Sequence, residues 1–229
     1  MLVIDKPAGL PVHPGPKGGV TLRDYLESLR FGLPRPPELA HRLDKDTSGC
    51  LVLGRHARAL ARLGALFGAG RVEKTYIGVV EGGPLEAAGD IDMPLSRRAK
   101  TRGWWMKADA SGQPARTLWR VLARGAEHTV LELQPLTGRT HQLRVHLAES
   151  GWPLIGDAVY GRAPRSGPLR LMLHARTVSV PLYPNRPPVV ATAPVPADML
   201  GFMAAPLRGI SGTASGFSIS GSKPEQSGL

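Results

Sequence analysis

The sequence predicts an α+β protein built on a mixed or antiparallel central sheet, and three observations lead there. Short apolar or alternating runs of strand character outnumber the stretches with helical periodicity. The two kinds of segment do not alternate strictly, as a doubly wound parallel sheet requires. With 42% hydrophobic residues in a chain of 229, there is enough apolar material to bury a core in one large domain or two small ones.

Taken in order, residues 2–4 read as a short strand. "KPAGLPVHPGPKGG" behind them is a loop, because proline removes backbone donors and glycine relaxes the chain. "SGCLVLG" at 48–54 is an apolar run bounded by glycines, the pattern of a buried strand. "RHARALARLGALFGAGR" then sets Leu60, Leu63 and Phe67 at helical spacing, leaves Arg55, Arg58 and Arg62 for another face, and closes on helix-stopping glycines. "KTYIGVVE" at 74–81 and "TVLELQP" at 129–135 read as strands, and "RLMLHARTVSV" at 170–180 as a longer one. "THQLRVHLAES" at 140–150 is a helix, opened by Arg139 and Thr140, with Leu143 and Leu147 four apart and Gly151 as its stop. No internal repeat is present. From about Ala205 the chain turns to Gly, Ser and Pro and cannot bury enough apolar area to offset its ordering entropy. The expectation is a folded domain over 1–204 and a disordered tail over 205–229.

A formal net charge of +11 points to a polyanionic partner, nucleic acid first and an anionic membrane surface second. The single cysteine, Cys50, excludes an internal disulfide framework and any site built on paired cysteines. The N-terminus has too few apolar residues for a secretory signal, and no run approaches the ~20 that a membrane span needs. A cytoplasmic protein is expected.

Three clusters could hold chemistry. Residues 97–124 contain Arg97, Arg98, Lys100, Arg102, Lys107, Arg116, Arg120 and Arg124 against one acid, Asp109, with Trp104 and Trp105 among them. Cations beside aromatic planes suit the phosphates and unstacked bases of a nucleic acid, although a solvated edge hairpin would use lysine and arginine too. In "TGRTHQLRVH" at 137–146, His141 and Arg144 lie three apart on one helical face. A zinc site from His141 and His146 with His41 or His174 is disfavoured, since a spacing of five does not align two imidazoles as four does. No Gly-x-Ser-x-Gly elbow exists for a serine hydrolase. In "HRLDKDTSG" at 41–49, Asp44 and Asp46 are turn formers or caps, with Arg42 and Lys45 as exposed partners. Alternatively, one of the two acids stands at the mouth of a cleft, where a nearby arginine keeps it ionised and nucleophilic.

In order along the chain, "KPAGLPVHP" (6–14), "HRLDKDTSG" (41–49), "KTY" (74–76), "LTGRTHQLRVHLAESGWPLIGDAVYG" (136–161) and "LMLHA" (171–175) resemble the RluA-type pseudouridine synthases, which isomerise uridine to pseudouridine in ribosomal and transfer RNA. The resemblance spans roughly residues 1–180. It implies the pseudouridine synthase fold, a long bent sheet with flanking helices and loops around a basic cleft, acting as an isomerase without metal or organic cofactor. Asp44 would be the catalytic nucleophile. Tyr76 would pack on the target base and assist proton removal at carbon 5, and Arg144 would pair with the carboxylate, with Arg139 as the alternative. His41, Arg42, Arg139 and His141, with Arg97, Arg98, Lys100 and Arg102, are expected to contact the RNA. Lys45 and Asp46 are given no catalytic part. No S4-like RNA-binding domain of the kind that some relatives carry is expected, so the core would supply its own binding surface as a monomer without an obligate protein partner. The rival expectation is a non-catalytic RNA-binding or ribosome-assembly factor on the same scaffold.

Overall fold

A computed structural model of the chain describes residues 1–15, 18–98, 105–164 and 167–203. The strands are β1 (Leu2–Lys6), β2 (Glu38–Leu39), β3 (Ser48–Gly54), β4 (Glu73–Glu81), β5 (Ala88–Asp92), β6 (Leu95–Arg97), β7 (Met106–Ala108), β8 (Arg116–Arg124), β9 (His128–Pro135), β10 (Leu173–Val180) and β11 (Val189–Thr192). The helices are α1 (Ala57–Gly68), α2 (Gln142–Glu149) and α3 (Ala197–Met203), and a 3₁₀ helix covers Leu22–Leu29.

Nine of these strands form one sheet in the order β1-β3-β10-β4-β9-β8-β5, with β2 also on β3 and β11 also on β10. Its pairings are antiparallel apart from β3 with β10, which sets His174 beside Ser48 and Ala175 beside Gly49. The architecture is therefore the mixed α+β sheet that the sequence predicts. Register shifts between Ala175 and Thr177 and between Val121 and Ala123 insert extra residues that bend the strands. β6 and β7 form a separate two-stranded hairpin.

β3 has no exposed residue because both faces of the sheet are covered there. Its alternation divides the core: Leu51 and Leu53 pack with Leu143 and Leu147 of α2, while Cys50 and Val52 pack with Leu63 and Leu66 of α1. β4 divides in the same way, Tyr76 and Val80 joining the α2 side and Ile77 and Val79 meeting Met199 of α3. The face carrying α2 holds the site described below. Gly49 makes the β3–β10 junction possible, since a Cβ there would sit 2.2 Å from the Ala175 carbonyl oxygen and its φ of +107° suits no other residue.

Several local expectations change. In α1 the fully buried positions are Leu63 and Leu66, while Leu60 and Phe67 are half-buried. Phe67 instead stacks its ring on His41 at 4.5 Å. α2 opens at Gln142, not at Arg139 and Thr140, because His141 takes the left-handed conformation (φ 53°, ψ 20°) and interrupts the helical path. The long strand begins at Leu173, three residues later than expected. The 3₁₀ helix is an addition to the expected elements, although its start is a reciprocal cap in which Asp24 accepts the Thr21 N–H at 2.7 Å. The expected tail at 205–229, together with Lys100, Arg102 and Trp104, lies outside the described residues. Among the described residues no helix is long and apolar enough to cross a membrane.

Candidate active site

The Asp44 side chain leaves a tight turn whose Thr47 N–H donates to the Asp44 carbonyl at 3.2 Å. This turn is bolted to the N-terminal loop. Gly9 N–H donates to the Lys45 carbonyl at 3.0 Å, and the wholly buried Lys6 ammonium donates to the carbonyls of Pro7 (2.7 Å), Leu10 (3.0 Å) and Lys45 (3.0 Å). Three protons on three carbonyls satisfy the ammonium completely. Burial pushes the Lys6 pKa down to about 8, against the opposing pull of the Asp46 and Asp44 charges.

Arg144 approaches from α2, almost wholly buried. Its Nε and Nη2 donate to Asp157 Oδ2 and Oδ1 at 2.8 and 2.7 Å, and Asp157 Oδ1 also accepts the N–H groups of Val159 (2.9 Å) and Tyr160 (3.0 Å). Burial would raise the Asp157 pKa, but the bidentate arginine and the two backbone donors outweigh it and hold it below the usual carboxylate range. Burial likewise opposes the Arg144 charge, and Asp157 followed by Asp44 overcomes it. With two nitrogens committed, Nη1 remains for the cleft, 3.7 Å from Asp44 Oδ2.

The other Asp44 oxygen, Oδ1, lies 3.7 Å from His141 Nε2. Both separations exceed hydrogen-bond length, so neither donor locks the carboxylate. Burial lowers the His141 pKa below 6.5, with Asp44 opposing and Arg144 reinforcing, which leaves the ring neutral at pH 7. Its backbone is left-handed (φ 53°), a local strain of order 1 kcal/mol that the surrounding contacts overcome.

Tyr76 comes from the centre of β4, where Leu133 and Ala175 are its register partners. Burial first, and the Asp44 charge second, raise its phenol pKa, so the hydroxyl stays protonated. Lys74, two residues earlier on the same face, donates to the Thr137 carbonyl at 3.3 Å and has its pKa lowered by burial. Gln142 braces the loop before α2 with four hydrogen bonds. Its Oε1 accepts from Thr137 Oγ1 (2.7 Å) and Arg139 N–H (3.0 Å), and its Nε2 donates to the Arg116 carbonyl (3.0 Å) and Thr117 Oγ1 (3.1 Å).

These groups open into a cavity of about 650 Å³ whose wall includes Asp44, Tyr76, Lys74, Arg42, His141 and Arg144. Its size is in the range of pockets that enclose a small organic molecule. His41 and Arg139 line it as well. His41 accepts the Val52 N–H on Nε2 at 2.9 Å, and burial, reinforced by Lys74, lowers its pKa to about 4. It therefore braces the wall as a neutral ring and offers no cation to a phosphate. Arg139 donates from Nε to the Pro114 carbonyl at 3.0 Å, and the arginine beside Asp44 is Arg144.

The basic stretch 97–124 divides. Arg97 and Arg98 are exposed on the β6–β7 hairpin, away from the cavity lining, with Arg98 5.9 Å from the Trp105 ring centroid. Lys107 pairs with Asp109 at 3.1 Å, Arg116 with Asp90 at 2.7 Å, and Arg120 forks onto Glu132 at 2.6 and 3.1 Å. Arg124 donates to the carbonyls of Pro84, Leu85 and Glu86. The acids that meet Arg116 and Arg120, Asp90 and Glu132, arrive from neighbouring strands outside the window. His146 bonds Thr117 Oγ1 at 3.0 Å and the Met93 carbonyl at 2.9 Å, and His174 meets Ser48 Oγ at 2.9 Å. Among the described residues no three His, Cys, Asp or Glu side chains gather as metal ligands.

Sequence reasoning did not single out Lys6, Lys74, Gln142, Asp157 or Tyr160, although all lie within the quoted segments. The available signal was Gly156-Asp157: a Cβ on Gly156 would fall 1.9 Å from the Arg170 carbonyl oxygen, so the acid follows an obligatory glycine turn.

The family model described as RNA pseudouridylate synthase matches residues 1–149. An uncharacterized RNA pseudouridine synthase of Zymomonas mobilis is 43% identical over 205 residues, covering 88% of this chain and 93% of that protein. Ribosomal large subunit pseudouridine synthase D of Xanthomonas campestris is 39% identical over 227 residues, 90% of this chain but 66% of the longer protein. An uncharacterized RNA pseudouridine synthase of Chloroflexus aurantiacus is 41% identical, and this chain spans 63% of its length. Among solved structures, human RNA Pseudouridylate Synthase Domain Containing 4 superposes with a TM-score of 0.73 at 28% identity, over 86% of both chains.

Proposed function

The chain belongs to the RNA pseudouridylate synthase family of isomerases, and from that premise we propose that it converts uridines of ribosomal or transfer RNA to pseudouridine with Asp44 as the nucleophile. The observation that supports this reading best is the state of the Asp44 carboxylate. It opens into the cavity with one oxygen 3.7 Å from Arg144 Nη1 and the other 3.7 Å from His141 Nε2. It has electrostatic support without being tied up in hydrogen bonds to either group, as an attacking oxygen requires.

The target nucleotide has to leave its stack to reach this depth, at a cost of a few kcal/mol recovered from pocket contacts. Asp44 then attacks C1′ of the ribose, with departure of the base, or C6 of the uracil. In either route the N1–C1′ bond breaks, the base turns, C5 bonds to C1′ and Asp44 is released as the free carboxylate; the proton that C5 gives up is balanced by the one taken up at N1. Tyr76 supplies a buried aromatic wall for the uracil. Its raised pKa favours that packing part over the proton-removing one, since a phenol kept protonated is a poor base. Arg42 and Lys74 are cations of the same cavity, suited to the phosphates flanking the turned-out nucleotide.

The rival reading, an RNA-binding factor without chemistry, gives no reason to point a carboxylate into a cleft meant for a polyanion. The separating experiment is carbodiimide-based primer extension on ribosomal and transfer RNA incubated with the protein. New stops at discrete uridines are expected, and RNA bound without any new stop would favour the factor. A monomeric state and cytoplasmic location accompany the proposal.

A further inference from the structure

Tyr160, in the loop after α2, joins the neighbouring His141 and Arg144 to the β6–β7 hairpin, which the sequence keeps apart from them. The Arg144 guanidinium lies 5.1 Å from its ring centroid, and the His141 ring meets it edge-on at 5.5 Å. Its hydroxyl is 2.9 Å from the backbone nitrogen of Met106, the first residue of β7, and 2.8 Å from His141 Nδ1. Its own backbone is held by Asp157, the acid that clamps Arg144.

The direction of this chain of hydrogen bonds follows from its far end. A backbone N–H can only donate, so the phenol oxygen accepts from Met106 and keeps its own proton available to donate to Nδ1 of His141. The imidazole proton then resides on Nε2, the nitrogen facing Asp44. In the opposite tautomer a lone pair would face the carboxylate and repel it. Met106 is paired with Arg97 across the hairpin, and Arg98 N–H donates to the Trp105 carbonyl at 2.8 Å. The exposed cations of the hairpin are thus a few backbone atoms from the start of the relay.

Resting on the reading of Asp44 as nucleophile, we propose that Tyr160 is a positioning residue that couples the seating of the β6–β7 hairpin on RNA to the alignment of Asp44. With the hairpin seated, Tyr160 holds His141 as a neutral Nε2–H donor and Arg144 as a fixed cation on either side of the carboxylate. A displaced hairpin takes Met106 away, and His141 loses its fixed tautomer while Arg144 stays clamped by Asp157. RNA engagement at the hairpin therefore raises the rate of the bound complex as well as its affinity.

Tyr160→Phe keeps the ring over Arg144 and removes the relay. At saturating RNA its single-turnover rate is expected to fall between about 10-fold and 100-fold, the scale of a misplaced reacting group, with RNA affinity and melting temperature unchanged. Its His141 ¹⁵N signals are expected to move from the pure Nε2–H pattern to a mixture of tautomers, a change that a purely structural tyrosine would not produce. In the wild type, Arg98→Glu is expected to lower the saturating rate as well as the affinity, and in the Tyr160→Phe background to lower affinity alone. A wild-type rate for Tyr160→Phe, an unaltered tautomer, or an equal rate effect of Arg98→Glu in both backgrounds overturns the inference. If the wild type forms no pseudouridine in any RNA, the parent reading fails instead. If the wild type is active, only the coupling is at stake.

Discussion

The ions around Asp44 and the ions of the strands β5, β8 and β9 are both made of arginines and carboxylates, yet they serve opposite ends. Arg144 and Asp157 are buried, bidentate and braced by backbone donors, and one guanidinium nitrogen is left over for the cleft. Arg116–Asp90 is half-exposed on a sheet edge, where solvent screens the attraction and the pair contributes little. The difference teaches that an arginine's availability is set by where its acid comes from. A buried partner immobilises the guanidinium and aims what remains of it, whereas an exposed partner merely occupies it.

The sharpest way to break this contrast is Asp157→Ala. It strands the buried Arg144 charge and is expected to cost about 3–5 kcal/mol in stability, measured by urea denaturation. A loss below about 1 kcal/mol would put the pair in the same class as the surface bridges.

Lys6 offers a test by pH. Its folded pKa of about 8 lies below the ordinary 10.5, so between these values the unfolded chain binds more protons than the folded one. The penalty for burying its charge is fully present below pH 8, and its contribution to stability improves as pH rises towards 10.5. The clamp on the Asp44 turn loses one donor in the same window. A single-turnover pH profile should therefore fall above about pH 8 while denaturation shows no loss from this group, and Lys6→Met should remove that fall. An alkaline limb that persists in Lys6→Met would assign it elsewhere.

On the exposed side, Arg97→Glu together with Arg98→Glu should weaken RNA binding and reduce the slope of log affinity against log salt by about one for each phosphate no longer engaged. Arg116→Gln, whose charge is already met by Asp90, is expected to change neither stability by more than about 0.5 kcal/mol nor the salt slope. Equal slopes for the two sets would erase the distinction between exposed and ion-paired cations.

The same contrast explains what was legible in the sequence. β3, β4 and β9 announce themselves because their apolar pattern is local, and "HRLD" and "KTY" single out Asp44 and Tyr76, both of which line the cavity. Arg144 was legible as a candidate, but its choice over Arg139 needed Asp157, which folds back from 13 residues further on. The occupation of Arg116 and Arg120 was hidden for the same reason, since their acids stand 26 and 12 residues away and meet them only through the register of β5, β8 and β9. Lys6 reads as a polar residue at a strand end, and nothing local shows that three carbonyls from two loops will close over it. The left-handed turn at His141 breaks the helix where periodicity alone would have continued it.

Whether the Asp44 carboxylate does the chemistry is decided by Asp44→Asn in a single-turnover assay, with enzyme in excess over an unmodified transcript of an RNA that the wild type modifies. The substitution keeps size and shape and removes the charge and the nucleophilic oxygen. Wild-type RNA affinity and no pseudouridine at any time point are expected; pseudouridine accumulating at a rate near that of the wild type would show that another group does the chemistry.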